Sequence, residues 1–275
     1  MAATARAIPS SATSRDGTEI GYYVSGQGPP LLLVHGGLGD HTRWDALRPH
    51  LEPHVTVHAM DRRGRGASGD HPDYHVESEF EDVAAVVDAI ARSTDARVGV
   101  YGHSYGGLCA FGAARLTKNI GRLALYEGWP PVDPAAWIPA PGLLERLEAL
   151  LVEGDREAVL ETFLREAVKM TDAEIDAYRA HPSWSARIAA AHTILREERA
   201  FPTVAFDAAQ AALVTVPTLL LVGEEQTLDW QVGTVGRHLP DARVEVLAGQ
   251  AHTADIVAPE LVAEHLLAFL HDRGR

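Results

Sequence analysis

The sequence predicts an α/β fold, a mostly parallel central sheet flanked by helices. Short apolar runs of strand length alternate with segments whose apolar residues recur at helical spacing. With 275 residues, 46% hydrophobic and 23% charged, the chain can bury a large core as one domain or as a domain with an insertion. The alternation breaks once, between about residues 128 and 203, where mostly helix-like segments follow one another.

Thr18–Ser25 reads as a strand, with Asp16-Gly17 as the turn of a hairpin from residues near Arg6–Ser14. Leu31–His35 is continuously apolar, as a strand buried on both faces would be. Thr42–Glu52 reads as helix and Val55–Met60 as strand. Val76–Arg92 is a helix with Phe80, Val83, Val86, Val87 and Ile90 on its apolar face. Strands Arg97–Tyr101 and Arg122–Tyr126 enclose a small-residue helix, Leu108–Leu116. Trp129-Pro130-Pro131-Val132-Asp133-Pro134 is too rich in proline for regular helix. Helical segments Gly142–Glu153, Asp155–Met170, Asp172–Ala180 and Ser183–Arg199 come next. Strand–helix alternation resumes with Thr218–Val222, Leu228–His238, Arg243–Leu247 and Pro259–Leu270, the last opening on a proline that suits a first helical turn. The expected division is a core of residues 1–128 and 204–275, with a helical insertion, 129–203, after the sixth strand.

A net charge of -14 argues against nucleic acid or an anionic membrane as partner. No run approaches a membrane span and Met1–Ser14 has no apolar signal region, so a soluble cytoplasmic protein acting on a small molecule is expected; the oligomeric state is left open. The single cysteine, Cys109, excludes an intrachain disulfide and reads as a packing residue. Of the histidine pairs spaced by four, His50/His54 straddles Pro53 and His54/His58 runs into a strand; with no H-E-x-x-H and no cysteine cluster, no metal is expected. Gly64 to Gly69 matches G-x-G-x-x-G, but Asp70-His71-Pro72-Asp73 follows instead of a helix, so a dinucleotide site is disfavoured and no cofactor is expected. Arg62, Arg63 and Arg65 read either as anion ligands or as partners of nearby carboxylates.

The chemistry centres on Gly102-His103-Ser104-Tyr105-Gly106-Gly107, between an apolar run and a helix. A serine hydroxyl needs exposure, a base and donors for the oxyanion it creates. A sharp strand-to-helix turn flanked by glycines supplies the exposure. Three further motifs are His35-Gly36-Gly37-Leu38-Gly39, the loop from Asp61 to Ser68, and Gln250-Ala251-His252 before the last helix.

In order and in spacing these motifs resemble the α/β-hydrolase superfamily over about residues 15–270: the H-G-x oxyanion loop, the D-x-R-G-x-G-x-S loop, the nucleophile elbow and the turn presenting the catalytic histidine. The resemblance implies the α/β-hydrolase fold and makes the insertion a cap domain. It also implies Ser104 as nucleophile, His252 as general base, and the backbone N–H groups of Tyr105 and Gly37 as oxyanion hole, with Leu38 N–H as the alternative to Gly37. Residue 105 begins a helix, so its N–H lacks a helical partner and carries the positive end of the dipole.

The third triad member departs from the pattern. Most relatives place an aspartate three residues beyond the glycine ending the strand after the cap; here that position is Gln226, which cannot balance an imidazolium. Glu127, at the carboxyl end of the preceding strand, matches the placement in some members, including certain haloalkane dehalogenases, and is the assigned acid; Glu225 and Asp229 are the alternatives. His103 reads as packing and His35 as a loop brace. Among the aromatics of the insertion, Trp129 and Trp137 lie in its irregular entry segment and, with Leu38, are the candidate substrate contacts.

The expected function is a serine hydrolase cleaving an ester, lactone or thioester of a small, largely apolar substrate through an acyl-enzyme on Ser104. The rival readings are a triad enzyme with redirected chemistry (acyl transfer, C–C hydrolysis or perhydrolysis) and a degenerate hydrolase that binds a ligand. Epoxide hydrolase and dehalogenase activity are disfavoured, because those relatives carry aspartate where Ser104 stands.

Overall fold

The computed structural model describes residues 9–224 and 229–272. Eight strands form one sheet: β1 (Ser10–Thr13), β2 (Glu19–Gly26), β3 (Pro30–Val34), β4 (Thr56–Met60), β5 (Val98–His103), β6 (Ile120–Tyr126), β7 (Thr218–Gly223) and β8 (Ala242–Leu247). Their order is β1-β2-β4-β3-β5-β6-β7-β8. The β1–β2 and β2–β4 pairs are antiparallel and all others parallel. The helices are α1 (Arg48–Leu51), α2 (Val76–Thr94), α3 (Tyr105–Ala113), α4 (Leu143–Glu153), α5 (Arg156–Glu166), α6 (Asp172–Arg179), α7 (Trp184–Ala190), α8 (His192–Ala200), α9 (Ala208–Ala211), α10 (Asp229–His238), α11 (Ala254–Val257) and α12 (Pro259–His271).

Successive strand residues face opposite sides of the sheet, and β3 feeds a core on each. Leu32 and Val34 join Phe80 and Val83 of α2 and Leu108 of α3. Leu31 and Leu33 join Trp44, Leu51, and Leu266 and Phe269 of α12. All five β3 residues are buried, which is why the run is apolar without alternation. Between β6 and β7 the described elements are all helical. They hold a third core that includes Leu147, Leu160, Ile175, Trp184 and Ile194, so Trp184 is a packing residue.

Two expected helices are interrupted. Thr42–Glu52 is a 3₁₀ turn at His41–Trp44 followed by α1, which restarts with Pro49 in its first turn, the one place where the missing N–H is not needed. Ser183–Arg199 divides into α7 and α8 at Ala191, where the hydrogen bonding tightens to three-residue spacing: Ala191 N–H to Ile188 O and Ile194 N–H to Ala191 O, both 3.1 Å. The Gly64–Gly69 segment is irregular loop, as the residues after it require.

Candidate active site

Strands β5, β3 and β6 end side by side, and their carboxyl ends present the chemistry. Ser104 sits between β5 and α3 with φ 53° and ψ -128°, a strained backbone that turns the chain sharply. Its N–H donates to Tyr126 O at 2.9 Å, and its carbonyl accepts from Gly107 N–H at 2.8 Å. The turn fits only because its neighbours lack side chains. A Cβ on Gly106 would strike the carbonyl oxygens of Val34 and His35, and one on Gly128 would strike the carbonyl of Ser104 itself. The sequence reading did not single out Gly128; its only signal is its place next to Glu127.

Glu127 lies just beyond β6, buried, with φ 46°, an uncommon backbone for a residue with a side chain. Its Oε1 accepts from Gly223 N–H at 2.8 Å, and its Oε2 lies 2.5 Å from His252 Nδ1. The carboxylate is thus clamped by the end of β7 and directed at the imidazole. Glu225, Gln226 and the side chain of Asp229 lie outside the described residues.

His252 is held from behind as well. His103 Nε2 lies 2.8 Å from His252 O, and a carbonyl only accepts, so that nitrogen carries the proton. Burial, then the Arg43 guanidinium, hold the His103 ring well below the usual imidazole range and so neutral. Tyr126 O–H donates to Ala251 O. Arg43 forms a bidentate pair with the fully buried Asp255, both contacts 2.7 Å, tying the first 3₁₀ turn to the histidine loop. His103 therefore packs within the elbow and also joins it to the turn bearing His252.

The glycine-rich loop after β3 runs beside the elbow. Leu38 has φ 60°. The N–H groups of Gly37, Leu38 and Tyr105 make no backbone hydrogen bond among the described residues. His35 braces the loop: its Nδ1–H donates to Gly36 O at 2.8 Å, and its Nε2 accepts from Arg62 N–H at 3.1 Å. Burial, then Arg62 and Arg65, hold this ring well below its ordinary pKa, so it stays in that neutral tautomer.

The three arginines of the Asp61–Ser68 loop are buried and paired. Arg62 meets both oxygens of Glu79 at 2.7 Å and also Glu197 of α8 at 2.7 Å. Arg63 meets Asp82 at 2.7 Å and Asp16 at 2.9 Å. Arg65 meets Glu197 and, at 2.7 Å, Thr193. The loop thereby fastens α8 to the sheet layer. The sequence carried no sign of this, because the Arg65–Glu197 partners are 132 residues apart. Cys109 is buried in α3, its thiol pKa pushed well up by burial and then by Glu79.

Ser104, Glu127 and His252 share one cavity of about 360 Å³. Gly37, Leu38, Tyr105, Trp129 and Trp137 line it too, so the candidate oxyanion and substrate residues converge there. Ile194, Phe201, Glu198 and Gln231, which the sequence reading had not placed, complete much of the wall together with Phe163, one of the insertion's aromatics whose helical spacing suggests packing. Trp129 is buried, whereas Trp137 is 40% exposed and stands edge-on to Phe201 at 5.3 Å between ring centroids. Among the described residues no group of three or more His, Cys, Asp or Glu side chains is arranged to hold a metal ion, and no helix is long and apolar enough to cross a membrane.

A strained serine turn, a carboxylate–histidine pair and a largely parallel eight-stranded sheet define a hydrolase of the α/β class, and a profile of the alpha/beta hydrolase family matches residues 31–265. The chain belongs to that family. It is similar to a solved alpha/beta hydrolase from Sphaerobacter thermophilus, with a TM-score of 0.79, 34% identity, and coverage of 95% of this chain and 100% of that one. A provisionally named carbamate hydrolase of Azorhizobium caulinodans is 27% identical over 269 residues, covering 90% of this chain and 93% of its own. The 2-(acetamidomethylene)succinate hydrolase of Mesorhizobium japonicum is 26% identical over 265 residues, covering 89% of each.

Proposed function

We propose that this hydrolase cleaves an ester-like bond of a small, largely apolar substrate through an acyl-enzyme on Ser104. The observation that carries the reading is the buried Glu127 carboxylate, 2.5 Å from His252 Nδ1, in the same cavity as a serine on a strained elbow. Glu127 accepts a hydrogen bond from His252 Nδ1–H, which keeps that proton on Nδ1 and leaves Nε2 free to act as base. Ser104 Oγ attacks the carbonyl carbon as His252 takes its proton, and the carbonyl electrons move onto oxygen. The N–H groups of Tyr105 and Gly37, or Leu38 in place of Gly37, receive that oxyanion. Collapse expels the alcohol, protonated by His252, and leaves the acyl-enzyme. Water then attacks the acyl carbon as His252 takes its proton, and collapse breaks the bond to Ser104 Oγ, which recovers a proton from His252 as the acid leaves.

The helices between β6 and β7 act as a cap. They bring Phe163, Ile194 and Phe201 over the reacting serine, which favours apolar or aromatic groups and excludes bulk water. The similarity to hydrolases of a carbamate and of an acetamido acid over most of the chain supports hydrolytic chemistry at an acyl carbon. The test is a fluorophosphonate probe followed by mass spectrometry. An adduct on Ser104 that Ser104→Ala abolishes, together with release of acid and alcohol from short-chain esters, is the expected result. A protein that folds but takes no label at Ser104 would overturn the proposal.

A further inference from the structure

The polar groups of the catalytic cavity can be accounted for singly. Glu127 is engaged by Gly223 N–H and His252, and Glu197 by Arg62 and Arg65. Gln231 Oε1 accepts from Val132 N–H at 3.4 Å. Glu198, next along α8, also lines the cavity, yet has no hydrogen bond and no ion pair among the described residues. No lysine or arginine lines the cavity beside it. A half-buried carboxylate facing walls such as Ile194 and Phe201 is costly unless something occupies its place as a partner.

Resting on the acyl-enzyme hydrolase reading above, we infer that Glu198 is a specificity residue which receives a protonated amine on the substrate, so that the enzyme selects basic-nitrogen esters over isosteric alkyl esters and rejects carboxylates. An alkylammonium supplies the missing countercharge and N–H donors, while its chain lies against the apolar wall. A substrate carboxylate would meet Glu198 with no cation in the lining to offset the repulsion. Burial, then the charge of Glu197, push the Glu198 carboxyl up to about 7, the behaviour of a group whose ionised form lacks its partner.

The experiment compares p-nitrophenyl esters of equal chain length ending in methyl, ammonium or carboxylate, at pH 8, with the wild type and Glu198→Gln. The ammonium ester should exceed the methyl ester in kcat/KM by at least about tenfold, chiefly through KM, and the carboxylate ester should be the poorest. In Glu198→Gln the ammonium-to-methyl ratio should fall to about one, read on protein whose melting curve and fluorophosphonate labelling establish that it is folded. Calorimetric titration of the wild type with hexylammonium and with hexanol needs neither a variant nor turnover; the ammonium should bind at least about tenfold more tightly. Equal affinity for the two, or an ammonium preference that survives in Glu198→Gln, overturns the inference. Methyl-ester hydrolysis without ammonium preference refutes the role of Glu198 alone, whereas absent labelling and hydrolysis with selective hexylammonium binding refutes the acyl-enzyme hydrolase reading alone.

Discussion

Replacing Glu127 by glutamine changes little in volume but reverses the hydrogen-bonding sense of one atom. In the native site both carboxylate oxygens accept, one from Gly223 N–H at 2.8 Å and one from His252 Nδ1–H at 2.5 Å. A glutamine can satisfy only one of them. If its oxygen stays on Gly223, the NH₂ faces Nδ1, which must become the acceptor; the imidazole proton then moves to Nε2 and the base is lost. If the amide flips, His252 keeps its tautomer, but two N–H donors confront each other at Gly223, at about 1–3 kcal/mol for the unsatisfied buried group. In either case the imidazolium loses its countercharge. The comparable substitution in a chymotrypsin-type triad lowers kcat by about ten-thousandfold. Glu127→Gln should therefore reduce kcat by about a thousandfold to ten-thousandfold, or roughly 4–5.5 kcal/mol, with KM nearly unchanged because both carboxylate oxygens are already engaged by Gly223 and His252. Steady-state kinetics on a short p-nitrophenyl ester, with labelling rates at Ser104, measure this. A Glu127→Gln enzyme within tenfold of wild type would refute the assignment, and a collapse in Asp229→Asn instead would move the acid to the later loop.

Other consequences can be measured separately. Glu198 has a folded-state pKa raised from 4.5 to about 7, so the folded protein holds the proton more tightly and stability falls as pH rises between those values. Glu198→Gln should thus melt like wild type at pH 4 and be more stable at pH 8, by roughly 3 kcal/mol at most; an equal difference at both pH values would contradict the burial argument. Glu197→Gln removes the anion shared by Arg62 and Arg65 and should cost about 3–5 kcal/mol in denaturant unfolding, with faster amide exchange in α8; unchanged exchange there would show that the ion cluster does not hold the helix. Trp137→Ala should lower kcat/KM about tenfold for aromatic acyl esters relative to acetyl esters, and equal losses on both would remove Trp137 from the acyl pocket.

Features set by short stretches of chain were readable without coordinates. The serine turn, the glycine loop after β3 and the alternation of strands and helices depend on neighbouring residues, and Pro259 marks its helix start correctly. The choice of Glu127 came from the resemblance, and the strand order, with β6 between β5 and β7, puts its carboxylate within reach of His252. What escaped depends on distant partners. Whether Arg62 and Arg65 bound an anion or a carboxylate depended on Glu197, and the roles of Glu198, Ile194 and Phe201 on the face that α8 turns to the cavity. The break at Ala191 has no proline or glycine to announce it; it lies in a shift of hydrogen bonding that any alanine tolerates.

Fastening α8 to the Asp61–Ser68 loop has a mechanical corollary. A layer clamped along one edge moves as a flap, and its travel is largest at the far edge. Helix α8 is held by Glu197 and Thr193, and by Arg196 on Asp70 at 2.7 Å, so it would follow the sheet through a catalytic cycle. The Pro134–Trp137 turn leans on that clamped end through Trp137, which stands edge-on to Phe201 immediately beyond α8, so the turn would travel with α8 and the larger displacements would fall to helices packed farther from the loop.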